Sequence, residues 1–158
     1  MSLKKFGQLI IAIGACELAG VVGSLFTFNA IPGWYSTLQK PVLNPPSWIF
    51  APVWTMLYAF MGISAFLIYQ KGWKRKDVKR ALGIFGIQLL LNAIWSIIFF
   101  GLHLSGLALV DIIFLWIAIL VTIIFFAKIS KPAAWLLLPY LVWVSFATYL
   151  NLAIFYLN

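Results

Sequence analysis

Charged side chains are scarce in this sequence. Of its 158 residues, 9% are charged and three are acidic, whereas 65% are hydrophobic and the mean hydropathy is +1.07. A soluble domain has about 25% charged residues, and a chain this short still exposes much of its surface when folded. The composition therefore argues against a soluble enzyme, a nucleic-acid-binding domain or a disordered chain. It predicts an integral membrane protein.

Groups that carry catalysis are also few. A single cysteine allows no internal disulfide. No metal-ligand spacing and no nucleophile–base pair can be identified, so we expect no catalytic residue, no metal site and no cofactor. His103 could ligate haem iron, although a lone histidine is more often an interfacial residue. Glu17 and Asp111 are acids within apolar stretches, where burial is costly; the sequence leaves their roles open.

Polar breaks divide the chain into five apolar stretches of about 22 residues, enough to cross a hydrocarbon core of ~30 Å. They cover 6–29, 49–70, 81–102, 106–128 and 134–157. None alternates as a membrane β-strand would, and backbone in lipid must satisfy its own hydrogen bonds. We predict an all-α bundle of five transmembrane helices, forming one membrane domain over 1–158.

Three further features refine this bundle. In the loop 30–48, Pro41, Pro45 and Pro46 fix the backbone and exclude regular helix, and Pro139 favours an irregular fifth helix. Two stripes of small residues on the first helix would allow close helix packing. The stripes are Cys16, Gly20 and Ser24, and Ala15, Ala19 and Gly23.

Basic residues are distributed unevenly about the five stretches. With five helices, ten of them fall on one side and Lys40 alone on the other. The ten are Lys4, Lys5, Lys71, Lys74, Arg75, Lys76, Lys79, Arg80, Lys128 and Lys131. The positive-inside rule then predicts a cytoplasmic N-terminus, with the C-terminus and the long loop outside. The basic loop could also contact anionic lipid or nucleic acid, but orientation alone accounts for its charges.

Aromatic residues are abundant and fall on helix faces. Three sets each share a helix face: Phe50, Trp54 and Tyr58; Gln88, Asn92, Trp95 and Phe99; Tyr140, Trp143, Ala147, Leu150 and Asn151. Phe50 to Tyr58, Asn92 to Phe99 and Trp143 to Asn151 also lie in the outer halves of their helices. One interpretation is helix packing with amides as interhelical hydrogen-bonding groups. The other is an aromatic pocket for a large flat ligand under the long loop, which the common depth favours.

Three blocks containing these residues resemble those of a known family. They are Trp34–Tyr58, which includes Lys40-Pro41 and Pro45-Pro46; Gln88–Gly101, which includes Asn92 and Trp95; and Trp135–Asn151, which includes Pro139-Tyr140 and Trp143. In this order they resemble the TspO/MBR family, the tryptophan-rich sensory proteins that include the mitochondrial translocator protein, or peripheral-type benzodiazepine receptor. The resemblance covers nearly the whole chain and implies a bacterial or archaeal cell membrane as its location.

The resemblance implies a five-helix bundle, commonly a homodimer, that binds porphyrins such as protoporphyrin IX and benzodiazepine-type ligands under the first loop. The matching pocket positions are Tyr35, Pro45, Phe50, Trp54, Tyr58, Asn92, Trp95, Trp143, Ala147 and Leu150. A receptor or sensor for tetrapyrroles is the first hypothesis. The alternatives are light-dependent porphyrin degradation, attributed in some members to the positions of Trp54 and Trp143, and transport of tetrapyrroles or other small molecules. Val42 and Leu43 depart from the family's frequent aromatics, and no basic residue completes the animal sterol motif after Tyr149.

Overall fold

The computed structural model describes residues 2–158, and this part of the chain is helical without a β-strand. Seven α-helices account for most of it. They are α1 (Leu3–Ala30), α2 (Trp34–Thr37), α3 (Phe50–Tyr69), α4 (Lys76–Ser96), α5 (Ser105–Ala127), α6 (Lys131–Leu136) and α7 (Leu138–Leu157).

Five segments within residues 2–158 are long and apolar enough to cross a membrane, which confirms the predicted all-α membrane fold. They are α1, Ser47–Tyr69, Lys76–Gly101, α5 and Lys131–Leu157. A 3₁₀ turn at Ser47–Ile49 leads into α3, and a π-helical turn at Ile97–Gly101 ends the third span. The sequence pattern did not indicate this π turn.

The fifth span is interrupted where α6 ends and α7 begins. Leu137 lies at the junction, and Pro139 occupies the first turn of α7. Proline has no N–H to donate and is tolerated in a first turn, where no intrahelical acceptor is needed. This is the irregularity that Pro139 led us to expect.

The five spans close into a ring through their packing. The first packs on the second and the third, the third on the fourth, and the fourth on the fifth, while α6 of the fifth span returns to α3. The core between them is apolar, with Met61, Ile68 and Phe126 fully buried. Large hydrophobic residues also remain exposed around the outside of the ring, as lipid contact requires.

The long loop is held against the end of the bundle. Asn158 accepts a hydrogen bond from the Gln39 backbone N–H at 3.0 Å and donates to the Gln39 carbonyl at 3.1 Å. Within the loop, Tyr35 donates to Asn44 Oδ1 at 2.8 Å. The loop was expected to exclude regular helix, yet α2 forms one helical turn in it. The turn is possible because it ends before Pro41, and all three of the constraining prolines follow it.

Candidate functional site

A cavity of about 330 Å³ lies between the loop and the bundle, bounded by α1, α3, the end of the third span and α7. Small-molecule sites commonly enclose 300–1,000 Å³ behind mainly apolar and aromatic walls. Its lining is Glu17, Gly20, Val21, Gly23, Ser24, Thr27, Phe28, Ile31, Tyr35, Ser47, Phe50, Ala51, Trp54, Thr55, Tyr58, Trp95, Ser96, Phe100, Trp143 and Ala147.

Seven of the ten predicted pocket positions line this cavity. They are Tyr35, Phe50, Trp54, Tyr58, Trp95, Trp143 and Ala147. Phe50, Trp54 and Tyr58, the α3 face predicted from i, i+4, i+8 spacing, all line the cavity, because residues at this spacing recur about once per helical turn and share one side of the helix. The structure therefore brings together aromatic residues from three spans and the loop.

The other three predicted positions lie outside the lining. Leu150 is buried in the bundle, Pro45 is half-buried in the loop, and Asn92 is buried behind Tyr58. In this structure the Asn92 side chain is buried, and both its oxygen and its nitrogen are hydrogen-bonded to tyrosine hydroxyls rather than presented in the cavity lining.

Asn92 instead forms part of a buried hydrogen-bond chain. Tyr58 donates to Asn92 Oδ1 at 2.6 Å, Asn92 Nδ2 donates to Tyr140 Oη at 2.7 Å, and Tyr140 donates to Gln88 Oε1 at 2.9 Å. Each of the four side chains is nearly inaccessible. The two interpretations of the polar-aromatic faces therefore apply to different residues: the amides join helices, and the aromatic rings line the cavity.

The cavity walls are aromatic rings that contact one another. The Phe50 and Trp143 ring centroids are 6.1 Å apart in a T-shaped arrangement. Trp54 lies 5.6 Å from Tyr58 and meets the Tyr140 ring edge-on at 6.2 Å. Because Tyr58 and Tyr140 are fixed by the hydrogen-bond chain, they restrict the orientation of Trp54 as well.

The first helix contributes more to the cavity than the sequence indicated. Eight residues between Glu17 and Ile31 line it. We had interpreted Gly20, Gly23 and Ser24 as packing residues. A Cβ atom at Gly20 would lie 2.4 Å from Cε2 of Tyr58, so the absent side chain lets the ring rest on α1. The stripe of small residues was the sequence feature that could have identified α1 as a cavity wall, since small side chains leave space for a cavity as well as allowing close packing.

The cavity also reaches the outer surface of the bundle between α1 and α3. Val21 and Phe28 on α1, and Ala51 and Thr55 on α3, line the cavity and are exposed. These residues belong to segments that are long and apolar enough to span a membrane, so we expect this side of the cavity to face lipid.

Tyr35 closes the cavity from the loop. It is 5% exposed, and burial raises the pKa of its phenol, so the hydroxyl stays neutral and donates to Asn44. Lys40 Nζ lies 4.8 Å from the centroid of the same ring. The loop therefore places an aromatic face toward the cavity and a positive charge above it.

The two other residues considered for chemistry lie elsewhere. His103 is exposed in the turn before α5, where its ring stacks on Trp34 with centroids 4.3 Å apart. Asp111 is buried on α5 and is absent from the cavity lining. Of these two acids in the interior of spans, Glu17 and Asp111, Glu17 is the one at the cavity.

Comparison with known proteins agrees with this architecture. The model of the TspO/MBR family matches residues 12–157. The chain is 47% identical to the tryptophan-rich protein TspO of Chlorobaculum tepidum, with 98% of each chain covered, and 44% identical to that of Archaeoglobus fulgidus, with 96% and 97% covered. It is 41% identical to the human translocator protein over 87% of this chain and 82% of the relative. The protein is an integral membrane protein that belongs to the TspO/MBR family.

Proposed function

We propose that this protein is a membrane receptor that binds tetrapyrroles such as protoporphyrin IX, and benzodiazepine-type ligands, in the cavity under its first loop. Relatives are named translocator protein and tryptophan-rich sensory protein, so the family supports a membrane sensor or translocator role. The observation that supports tetrapyrrole binding in particular is that two indoles, those of Trp54 and Trp143, line the same apolar cavity.

The chemistry of the walls suits a large flat ligand. Trp54, Trp143 and Phe50 provide ring faces and edges for offset or edge-to-face contact with a macrocycle. The opening between α1 and α3 allows part of a ligand larger than the enclosed volume to extend toward lipid. A lipid-soluble ligand therefore fits both the walls and the surroundings.

Replacement of Trp143 by alanine is expected to weaken protoporphyrin IX binding about tenfold, since the loss of a stacked indole and its buried area is worth about 1.4 kcal/mol. The measurement is a titration of tryptophan fluorescence quenching by protoporphyrin IX, in the dark.

Trp135→Ala is the matched control, because Trp135 is 71% exposed and absent from the cavity lining. Equal affinity in wild type and both variants would refute the assignment of the cavity. Repeating the titration after illumination separates binding from light-dependent porphyrin breakdown, the enzymatic alternative.

We also propose that the basic end of the bundle is cytoplasmic and that the loop and the cavity face the opposite side. Ten of the eleven basic residues belong to the end that holds the start of α1 and the connection between α3 and α4. A reporter active only outside the cytoplasm should be active when fused after Asn158. Activity of a cytoplasm-specific reporter at that position would reverse the orientation.

A further inference from the structure

One ionisable side chain in the cavity has no partner. Within residues 2–158, the Glu17 carboxyl group takes part in no ion pair and no side-chain hydrogen bond, although it lies in the first span and lines the cavity. An unpaired acid in a membrane segment is costly. A ligand in the cavity can supply the partner that the described residues do not.

Glu17 lies at the end of the cavity farthest from the loop. Along α1 the lining extends from Glu17 to Phe28, a rise of about 17 Å for eleven residues, and Ile31 continues it just beyond the helix. At the other end, Lys40 lies over Tyr35 and donates to the Leu38 carbonyl at 3.1 Å. The cavity thus has an acid at its inner end and a cation above its loop end.

The helix hydroxyls in the lining present acceptors rather than donors. Ser24 donates to the Val21 carbonyl at 2.7 Å, and Thr27 donates to the Gly23 carbonyl at 3.0 Å. Thr55 likewise donates to a carbonyl of its own helix. Because each hydrogen is engaged by the backbone, the lone pairs of these oxygens are what a ligand can reach.

Most of the larger polar side chains in the lining also donate their hydrogens to acceptors within the protein. Tyr58 and Tyr35 donate their hydroxyl hydrogens to Asn92 and Asn44, and Trp95 Nε1 donates to Asn151 at 3.0 Å. Trp143 Nε1 is buried and makes no hydrogen bond. Their ring faces remain, and these attract positive charge.

Two serine hydroxyls, those of Ser47 and Ser96, are not engaged, and both lie nearer the loop. Ser47 begins the 3₁₀ turn after the loop, and Ser96 Oγ lies 3.0 Å from the Cβ position of Gly23, almost two turns beyond Glu17. The inner end of the cavity therefore combines the Glu17 carboxyl group with engaged hydroxyls and aromatic faces. The free hydrogen-bond donors among the lining side chains include the hydroxyls of Ser47 and Ser96 and the indole N–H of Trp143.

We propose that Glu17 binds the ligand directly and selects molecules that place a protonated amine, or another strong N–H donor, at the inner end of the cavity. This inference rests on the proposed ligand-binding function and adds to it the chemistry of the group that is recognised. A charge-assisted hydrogen bond to a carboxylate supplies the missing partner, and the Trp54 and Tyr58 rings support the same charge.

A matched pair of fluorescent probes tests the proposal. Dansyl cadaverine carries an ammonium group at the end of an alkyl chain, and dansyl pentylamide is the same molecule with a hydrogen in place of the amine. Binding to the full chain in lipid nanodiscs is measured by energy transfer from the protein's tryptophans, after subtraction of empty nanodiscs. We expect wild type to bind the ammonium probe about tenfold more tightly, as a charge-assisted bond allows.

Glu17→Gln should abolish this preference while leaving the affinity for dansyl pentylamide unchanged, which also verifies that the variant is folded. Glu17→Asp should retain part of the preference. Asp111→Asn is the matched control, because it neutralises the other acid within a span at a position outside the cavity lining, and it should retain the full preference.

Equal affinities of the two probes for wild type, or an undiminished preference in Glu17→Gln, would overturn the role of Glu17. A parallel titration with protoporphyrin IX separates this result from failure of the proposed function. If protoporphyrin IX binds while the probes show no preference, only the inference about Glu17 fails. If neither the porphyrin nor the probes bind, both fail.

Discussion

Replacing Gly62 by alanine is expected to destabilise the bundle by about 3 kcal/mol or more, although the substitution adds a single methyl group. A Cβ atom at this position would lie 2.4 Å from Ile13 Cα, 2.8 Å from Ile13 N and 2.9 Å from the Ala12 carbonyl oxygen. All three are backbone atoms of α1, so no side-chain rotation can relieve the clash, and α1 and α3 must separate.

Separation of these helices has two measurable consequences. Close packing contributes much of helix association in lipid, so the thermal unfolding midpoint of the purified protein should fall. Because α1 and α3 form two walls of the cavity, protoporphyrin IX binding should fall with it.

Gly86→Ala is the matched control on α4, since no atom lies within 4 Å of its added Cβ. It should leave the midpoint unchanged or raise it slightly, because alanine favours helix over glycine by about 1 kcal/mol. A Gly62→Ala variant as stable as Gly86→Ala would contradict the close approach of α1 and α3.

Replacing Asn92 by leucine is expected to cost about 2 kcal/mol of stability, because two buried hydroxyls lose their partner at once. Tyr58 loses its acceptor and Tyr140 loses a donor, while leucine has nearly the size of asparagine and leaves little space for water. Thermal unfolding measures the loss. Protoporphyrin IX titration should show weaker binding, since the Tyr58 and Trp54 rings are no longer fixed.

Removing the stranded hydroxyls as well tests the cause. In the quadruple variant Asn92→Leu, Tyr58→Phe, Tyr140→Phe, Gln88→Leu, all four members of the hydrogen-bond chain are replaced, including the Gln88 oxygen that accepts from Tyr140. Much of the stability should return, because an apolar replacement of a whole hydrogen-bonded set is often nearly neutral. Asn29→Leu is the control, since Asn29 is exposed and makes no side-chain hydrogen bond within residues 2–158. No recovery in the quadruple variant would show that shape, rather than hydrogen bonding, determines the role of Asn92.

Much of the fold follows from local properties of the chain. Five apolar stretches and the requirement that lipid-exposed backbone satisfy its own hydrogen bonds predict five helices. The irregularity near Pro139 also follows from covalent chemistry, because proline lacks an N–H. The π turn at Ile97–Gly101 could not be predicted, since it depends on packing against other spans and not on one residue type.

The cavity was predictable in part. The residues of α3 that line it recur at helical spacing, and a helix presents such residues on one face whatever surrounds it. Asn92 lies on an equally regular face, yet its amide binds two tyrosines rather than the cavity. Periodicity identifies a face but not the neighbour that covers it.

Composition and pattern therefore determined that this chain is a five-helix membrane protein with aromatic faces, since hydrophobicity and helical spacing are properties of each segment alone. Tertiary structure decided which face became a cavity wall and which became a helix contact. It made α1 a wall because Gly20 and Gly62 admit neighbouring atoms at distances that exclude a Cβ. It also left Glu17 at the inner end of that wall without a partner, which no local pattern could reveal, because the groups that might have paired with it come from other helices.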